Sequence, residues 1–144
     1  MAVLATSDTY TESEVLSARR LASTLGFRLL EVETYELTDP RFQANPSDRC
    51  YYCKAALFRL LLGRAGELGF SVLLDGSNRD DLTDYRPGRR ALAELGIASP
   101  LLEADFRKAE VRELSRRLGL PTWDKPAAAC LASRIPCGTP LTVE

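Results

Sequence analysis

The chain is 144 residues long, 45% hydrophobic and 27% charged, with 19 basic against 20 acidic side chains, a formal net charge of −1, four cysteines and no histidine. Such a length and composition suit one globular domain with a buried core, and the balanced charge supplies no global field to recruit nucleic acid or an anionic membrane. Without imidazole, Ser-His and Cys-His catalysis, zinc-histidine sites and a histidine general base are excluded, so any metal is held by thiolate or oxygen.

No apolar run approaches the roughly 20 residues that span a bilayer. The opening Met1-Ala2-Val3-Leu4-Ala5 lacks the basic region and long apolar stretch of a secretory signal. A cytoplasmic protein is expected. In a reducing compartment four cysteines serve as ligands, redox groups or nucleophiles more often than as disulfide staples.

In chain order, residues 1–6 read as a strand, followed by Ser7-Asp8-Thr9-Tyr10, which has no glycine and no phosphate-loop pattern. Over residues 11–25, Val15, Ala18, Leu21, Ala22 and Leu25 recur at helical spacing, and Gly26 is a stop signal. Residues 27–33 are apolar enough for a buried strand. Residues 39–48, with Pro40 and Pro46, carry turn chemistry and predict an ordered loop. A second helix is expected over 50–68, burying Leu57, Leu60, Leu61, Ala65 and Leu68 and ending at Gly69. A short strand over 71–74 would deliver Asp75, Gly76, Ser77 and Asn78 to its carboxyl end, where open α/β sheets place ligands. A helix over 87–95, a strand over 98–102 and a helix over 108–118, closed by Gly119 and Pro121, continue the alternation.

Alternating element types imply an α/β fold, a doubly wound parallel sheet with crossover helices. Residues 122–144 form a cysteine-bearing loop with little periodicity that suggests a site. Both ends read as abrupt, Glu144 following an apparent strand beginning, so the expectation is an incomplete domain within a larger protein.

Three stretches carry the chemistry: Asn45-Pro46-Ser47-Asp48-Arg49-Cys50-Tyr51-Tyr52-Cys53-Lys54, the run from Asp75-Gly76-Ser77-Asn78 to Arg86-Pro87-Gly88, and the run from Pro121 through Cys130-Leu131-Ala132-Ser133-Arg134 to Pro136. Cysteines at i and i+3 of a helix start share one face within a turn, so Cys50 and Cys53 can reach one soft metal. A zinc held by all four cysteines, and ordinary buried thiols, are alternatives that spacing leaves open. Asp80, Asp81 and Asp84 could hold magnesium, but helix capping or plain hydration ranks above metal binding for them. Arg86, Arg89 and Arg90 offer forks to an anion, with a solvated helix face the plainer reading for Arg89 and Arg90. Tyr51, Tyr52 and Trp123 are pocket walls or simply core.

Together these stretches resemble the LarE-type, ATP-dependent sacrificial sulfur transferases of the ATP-pyrophosphatase, or PP-loop, group. The resemblance covers almost the whole chain in order. It implies an adenine nucleotide alpha hydrolase-like, Rossmann-like fold that binds ATP with magnesium through an N-terminal Ser-Gly-Gly-x-Asp-Ser loop, a segment this sequence does not contain. It also implies adenylation and thiolation of a nicotinate-derived dicarboxylic acid in nickel-pincer cofactor synthesis, by a homo-oligomer. Cys50, Cys53 and Cys130 match the pattern in which three cysteines hold a 4Fe-4S cluster carrying an extra sulfide. Other members sacrifice one cysteine, here Cys130, with Arg134 favouring its thiolate. The match also implies nucleotide contacts for Lys54, Asp75, Gly76, Ser77, Asn78 and Arg86. Cys137 departs from the family, standing where tyrosine is usual.

Overall fold

The computed structural model describes residues 1–142. The end of the expected loop, and the strand beginning expected before Glu144, lie outside the described residues in their last two positions. The chain divides into two compact units, Met1–Arg49 with Ala128–Glu144, and Cys50–Ala127.

In the first unit, β1 (Ala2–Thr6) pairs in parallel with β2 (Leu29–Glu33), Ala2 opposite Leu29 and Thr6 opposite Glu33. The crossover is α1 (Glu12–Leu25), as parallel strands require a long connection. Its start is a capping box: Thr11 accepts from the Glu14 amide, and the Glu14 carboxylate accepts from the Thr11 amide. Its end is Gly26 at φ 68°, a left-handed conformation that glycine adopts without Cβ strain. Ala22 and Val32 are buried. The loop expected over 39–48 contains a short helix, α2 (Pro40–Gln43). Pro40 sits at its first position, where the missing N–H costs nothing, Asp39 caps it, and Phe42 is buried beneath.

Helix α3 (Arg49–Glu67) belongs, after its first residue, to the second unit, and its buried positions are Ala55, Phe58, Leu61 and Ala65. Leu61 and Ala65 are as expected, but Leu60 and Leu68 are 39% and 42% exposed. The apolar run surrounds the helix, so periodicity alone did not single out a face; the packed stripe steps through two small alanines that admit close neighbours. The strands expected over 71–74 and 98–102 reduce to one parallel bridge between Leu74 and Ala98, closed by Asp75 N–H to the Ala98 carbonyl at 2.9 Å and Ala98 N–H to the Leu73 carbonyl at 3.1 Å. Pro100 ends the second of them by starting α5 (Pro100–Glu103). Helices α4 (Gly88–Glu94) and α6 (Lys108–Arg117) lie where expected. Ala91, Leu92 and Ile97 join Phe58 and Leu61 among the buried apolar residues.

The described fold is thus α/β with a small parallel two-stranded sheet. Among the described residues no helix is long and apolar enough to cross a membrane.

Candidate functional site

In the second unit, the first turn of α3 presents Cys50, Cys53 and Lys54, and the chain after the Leu74 bridge presents Asp75 to Asn78. The Asp75 carboxylate is the best-held group of this cluster. It accepts from Ser77 Oγ at 2.6 Å and from Ser99 Oγ at 2.5 Å. Partial burial pushes its pKa up, but those hydrogen bonds and the nearby Lys54 charge outweigh burial and hold it below the ordinary carboxylate value. A shallow cleft of about 220 Å³ beside it is lined by Ser77, Arg89 and Ser99. Lys54, Asp75 and Ser77 are therefore brought together. Gly76 is exposed, and a Cβ there would meet no protein atom within 4 Å.

Asn78 caps the 3-10 turn Arg79–Leu82: its Oδ1 accepts from the Asp80 amide at 3.1 Å, and its own N–H donates to Asp81 at 2.9 Å. Asp80 also accepts from the Lys108 amide at the start of α6. Arg86 pairs with Asp81 at 2.9 Å and Asp84 at 3.1 Å. These acids thus cap and pair in this structure. Arg90 stacks on the Tyr51 ring at 3.7 Å, and the Tyr51 hydroxyl donates to Glu94 at 2.7 Å. The Tyr51 and Tyr52 rings meet edge to face. Trp123, in the same unit, is 41% exposed and so is not core.

In the first unit, Cys130 precedes the 3-10 turn Leu131–Arg134. Its carbonyl accepts from the Ser133 amide and hydroxyl at 3.0 and 2.6 Å, and the Leu131 amide donates to the Thr9 carbonyl at 2.8 Å. The thiol is half-buried, and Arg134 is exposed at the far end of the turn. Beside them lies a cleft of about 350 Å³ lined by Asp8, Thr9, Leu131, Ala132 and Ile135. It opens just past the carboxyl end of β1, the position where parallel sheets accept ligands. The loop after β1 is pinned by buried Glu36, which accepts from Ser7 Oγ at 2.8 Å and Thr9 Oγ1 at 3.0 Å.

Asn45 fixes the far side of the Cys130 segment. Its side chain is fully buried, its φ is +49°, and its Nδ2 donates to the carbonyls of Pro136 at 2.9 Å and Thr139 at 3.0 Å. Its Oδ1 accepts from Arg49 at 3.0 Å, and its carbonyl accepts from the Gly138 amide at 2.8 Å and the Cys137 thiol at 3.4 Å. Cys137 is thus tied to backbone at the protein surface.

All four cysteines are thiols outside any disulfide. Cys50 and Cys53 share one face of a helical turn, and soft thiolates suit iron-sulfur chemistry. Within either unit the described residues offer no group of three or more Cys, Asp or Glu side chains poised to hold a metal ion. Of the three thiols, Cys50 and Cys53 belong to the second unit and Cys130 to the first.

Glu36 and Ser99 lie outside the three motif stretches, and Asn45 and Gly88 stand within them with no role legible from the residues around them. Asn45-Pro46 signals a turn, but nothing local announces partners about 90 positions away, and Ser99 falls inside the strand expected over 98–102.

No family model matches the chain. The uncharacterized protein slr1717 of Synechocystis is 45% identical over 144 residues, all of this chain and 54% of that protein. The pyridinium-3,5-bisthiocarboxylic acid mononucleotide synthase of Lactiplantibacillus plantarum is 40% identical over 141 residues, 98% of this chain and 51% of that protein. The tRNA-specific 2-thiouridylase MnmA of Desulforamulus reducens is 28% identical over 137 residues. The chain spans about half the length of the first two. The likeness to the synthase, joined by the weaker one to MnmA, places the chain in the PP-loop superfamily. Within it, the chain belongs to the LarE-type sulfur transferase family.

Proposed function

We propose that the protein transfers sulfur, at the expense of ATP, to a carboxylate of a nicotinate-derived dicarboxylic acid in nickel-pincer cofactor synthesis, with Cys50, Cys53 and Cys130 as its sulfur-handling thiols. The observation that carries this is the 40% identity to the Lactiplantibacillus synthase over 98% of the chain. Supporting it are a half-buried Cys130 beside a cleft at the carboxyl end of β1, and Lys54 close to the Asp75 turn. In this reading the full-length protein has a doubly wound parallel sheet and works as a cytoplasmic homo-oligomer.

In this reading a substrate carboxylate oxygen attacks the α-phosphorus of ATP and pyrophosphate leaves, giving the acyl adenylate. Magnesium, brought in with the nucleotide, would screen the phosphates, and Lys54 offsets the charge that gathers on the departing pyrophosphate. A sulfur nucleophile then attacks the acyl carbon and AMP leaves. Asp75, fixed by Ser77 and Ser99, holds the turn that carries Gly76 and Asn78 toward the nucleotide. Arg86 keeps that loop shaped through Asp81 and Asp84. A 4Fe-4S cluster on the three thiolates supplies an exchangeable sulfide when bound.

The test is anaerobic reconstitution of the full-length protein with iron and sulfide. Charge-transfer absorption with matched iron and labile sulfide, lost in Cys50→Ser, Cys53→Ser and Cys130→Ser, is expected. Intact absorption in all three variants overturns the cluster, and zinc without iron points to a metal-bound binding module. Dehydroalanine at position 130 after turnover identifies Cys130 itself as the donor.

A further inference from the structure

We propose that Gly88 is a positioning residue for Lys54, kept free of a side chain so that the lysine stem can cross it. A Cβ built at Gly88 would lie 2.9 Å from Lys54 Cγ, 3.5 Å from Lys54 Cδ and 3.2 Å from the Cys50 carbonyl oxygen. The first distance is closer than real carbon contacts allow, and it falls near the root of the lysine side chain, which has little freedom to yield. Every other glycine of this unit meets nothing within 4 Å of such a Cβ.

Backbone torsion does not explain the residue, because Gly88 opens α4 without a positive φ. Helix propensity argues against it, since alanine is the better helix former. The remaining reason for glycine is space. Buried Gly88 lets the first turn of α4 close onto the first turn of α3, with the Lys54 stem between. The ammonium is then led along a defined path, 5.4 Å from the Phe58 ring centre, with its charge favouring the Asp75 carboxylate. Cys50 shares the arrangement through its carbonyl, so one bare Cα sets both the lysine and the turn that carries a thiol.

The consequence for function rests on the reading of Lys54 as a phosphate contact. It is tested in the full-length protein with Gly88→Ala, Lys54→Ala and the double variant, each measured for MgATP binding by calorimetry and for thermal midpoint. Lys54→Ala should weaken MgATP binding roughly tenfold, the scale of one charge-assisted contact. Gly88→Ala should weaken it severalfold and lower the midpoint. In the double variant Cγ and Cδ are gone and only the Cys50 carbonyl contact is left, so most of the midpoint loss should be recovered and binding should be no weaker than in Lys54→Ala alone. Should Gly88→Ala fail to fold, recovery of folding in the double variant carries the same information. Equal midpoint losses in both backgrounds, or binding losses that simply multiply, overturn the positioning role. Wild-type MgATP binding by Lys54→Ala refutes the phosphate reading instead, while the midpoint coupling still reports on Gly88.

Discussion

Asn45→Ala removes an amide that donates to two backbone carbonyls at 2.9 and 3.0 Å and accepts from Arg49 at 3.0 Å. At about 1 kcal/mol net for each neutral bond and about 2 kcal/mol for the charged one, the hydrogen-bond loss is about 4 kcal/mol. Alanine at φ +49° adds about 1 kcal/mol, because its Cβ crowds the backbone there and lacks the local bonding that lets asparagine tolerate it. That sum is a large fraction of the stability of an ordinary domain. Asn45→Gly separates the two contributions: it loses the same bonds but not the torsional cost, and should be about 1 kcal/mol less damaging than alanine. Urea titration followed by far-ultraviolet circular dichroism gives the magnitudes. Amide exchange at Gly138 and Leu141, which donate to the Asn45 and Gln43 carbonyls, shows whether the Cys130-bearing segment has come loose. An alanine variant within about 1 kcal/mol of wild type, with both amides still protected, would refute the role assigned to Asn45.

Ser99→Ala should raise the pKa of Asp75 toward the ordinary carboxylate value, as seen in a carbon-13 titration of its carboxyl group, because one of the two hydroxyl bonds holding the anion is gone. Since the folded value is depressed, Asp75 stabilises the fold fully above the unfolded carboxylate pKa of about 3.9 and loses that contribution as pH falls through the lowered folded value; the variant should show a weaker acid dependence. An unmoved Asp75 titration would contradict the geometry. Phe42→Ala should cost about 3–5 kcal/mol in a denaturant titration, by emptying the buried space under α2. Thr11→Ala should cost about 1 kcal/mol through loss of the capping box, and an unchanged midpoint would mean the cap is dispensable.

Elements governed by near neighbours were legible in the residues. Thr11 with Glu14, the spacing of Val15, Ala18 and Ala22, and Gly26 together define α1, and the apolar runs either side become the parallel pair. The pairing direction at Leu74 and Ala98 was legible too, although the strands themselves shrink to a single bridge because Pro100 starts a helix two residues on. The buried face of α3 was not, since leucines surround it and the choice of face depends on what packs there. Cys50, Cys53, Cys130 and the Asp75 turn stood out by residue type and position. Their supports did not: Glu36, Asn45, Gly88 and Ser99 act across separations of 24 to about 90 positions, where only the folded chain brings partners together. An acid read as a magnesium ligand and one read as a helix cap look alike in sequence, and only the folded chain shows Asp81 held by the Asn78 amide and the Arg86 guanidinium.

Trp123 is the chain's only tryptophan, and it belongs to the Cys50–Ala127 unit. Indole emission therefore reports from within the unit that carries Lys54 and Asp75. Should the two halves come apart at different urea concentrations, fluorescence would show one sigmoid and circular dichroism two, giving the protein a built-in means of distinguishing which half a substitution has loosened.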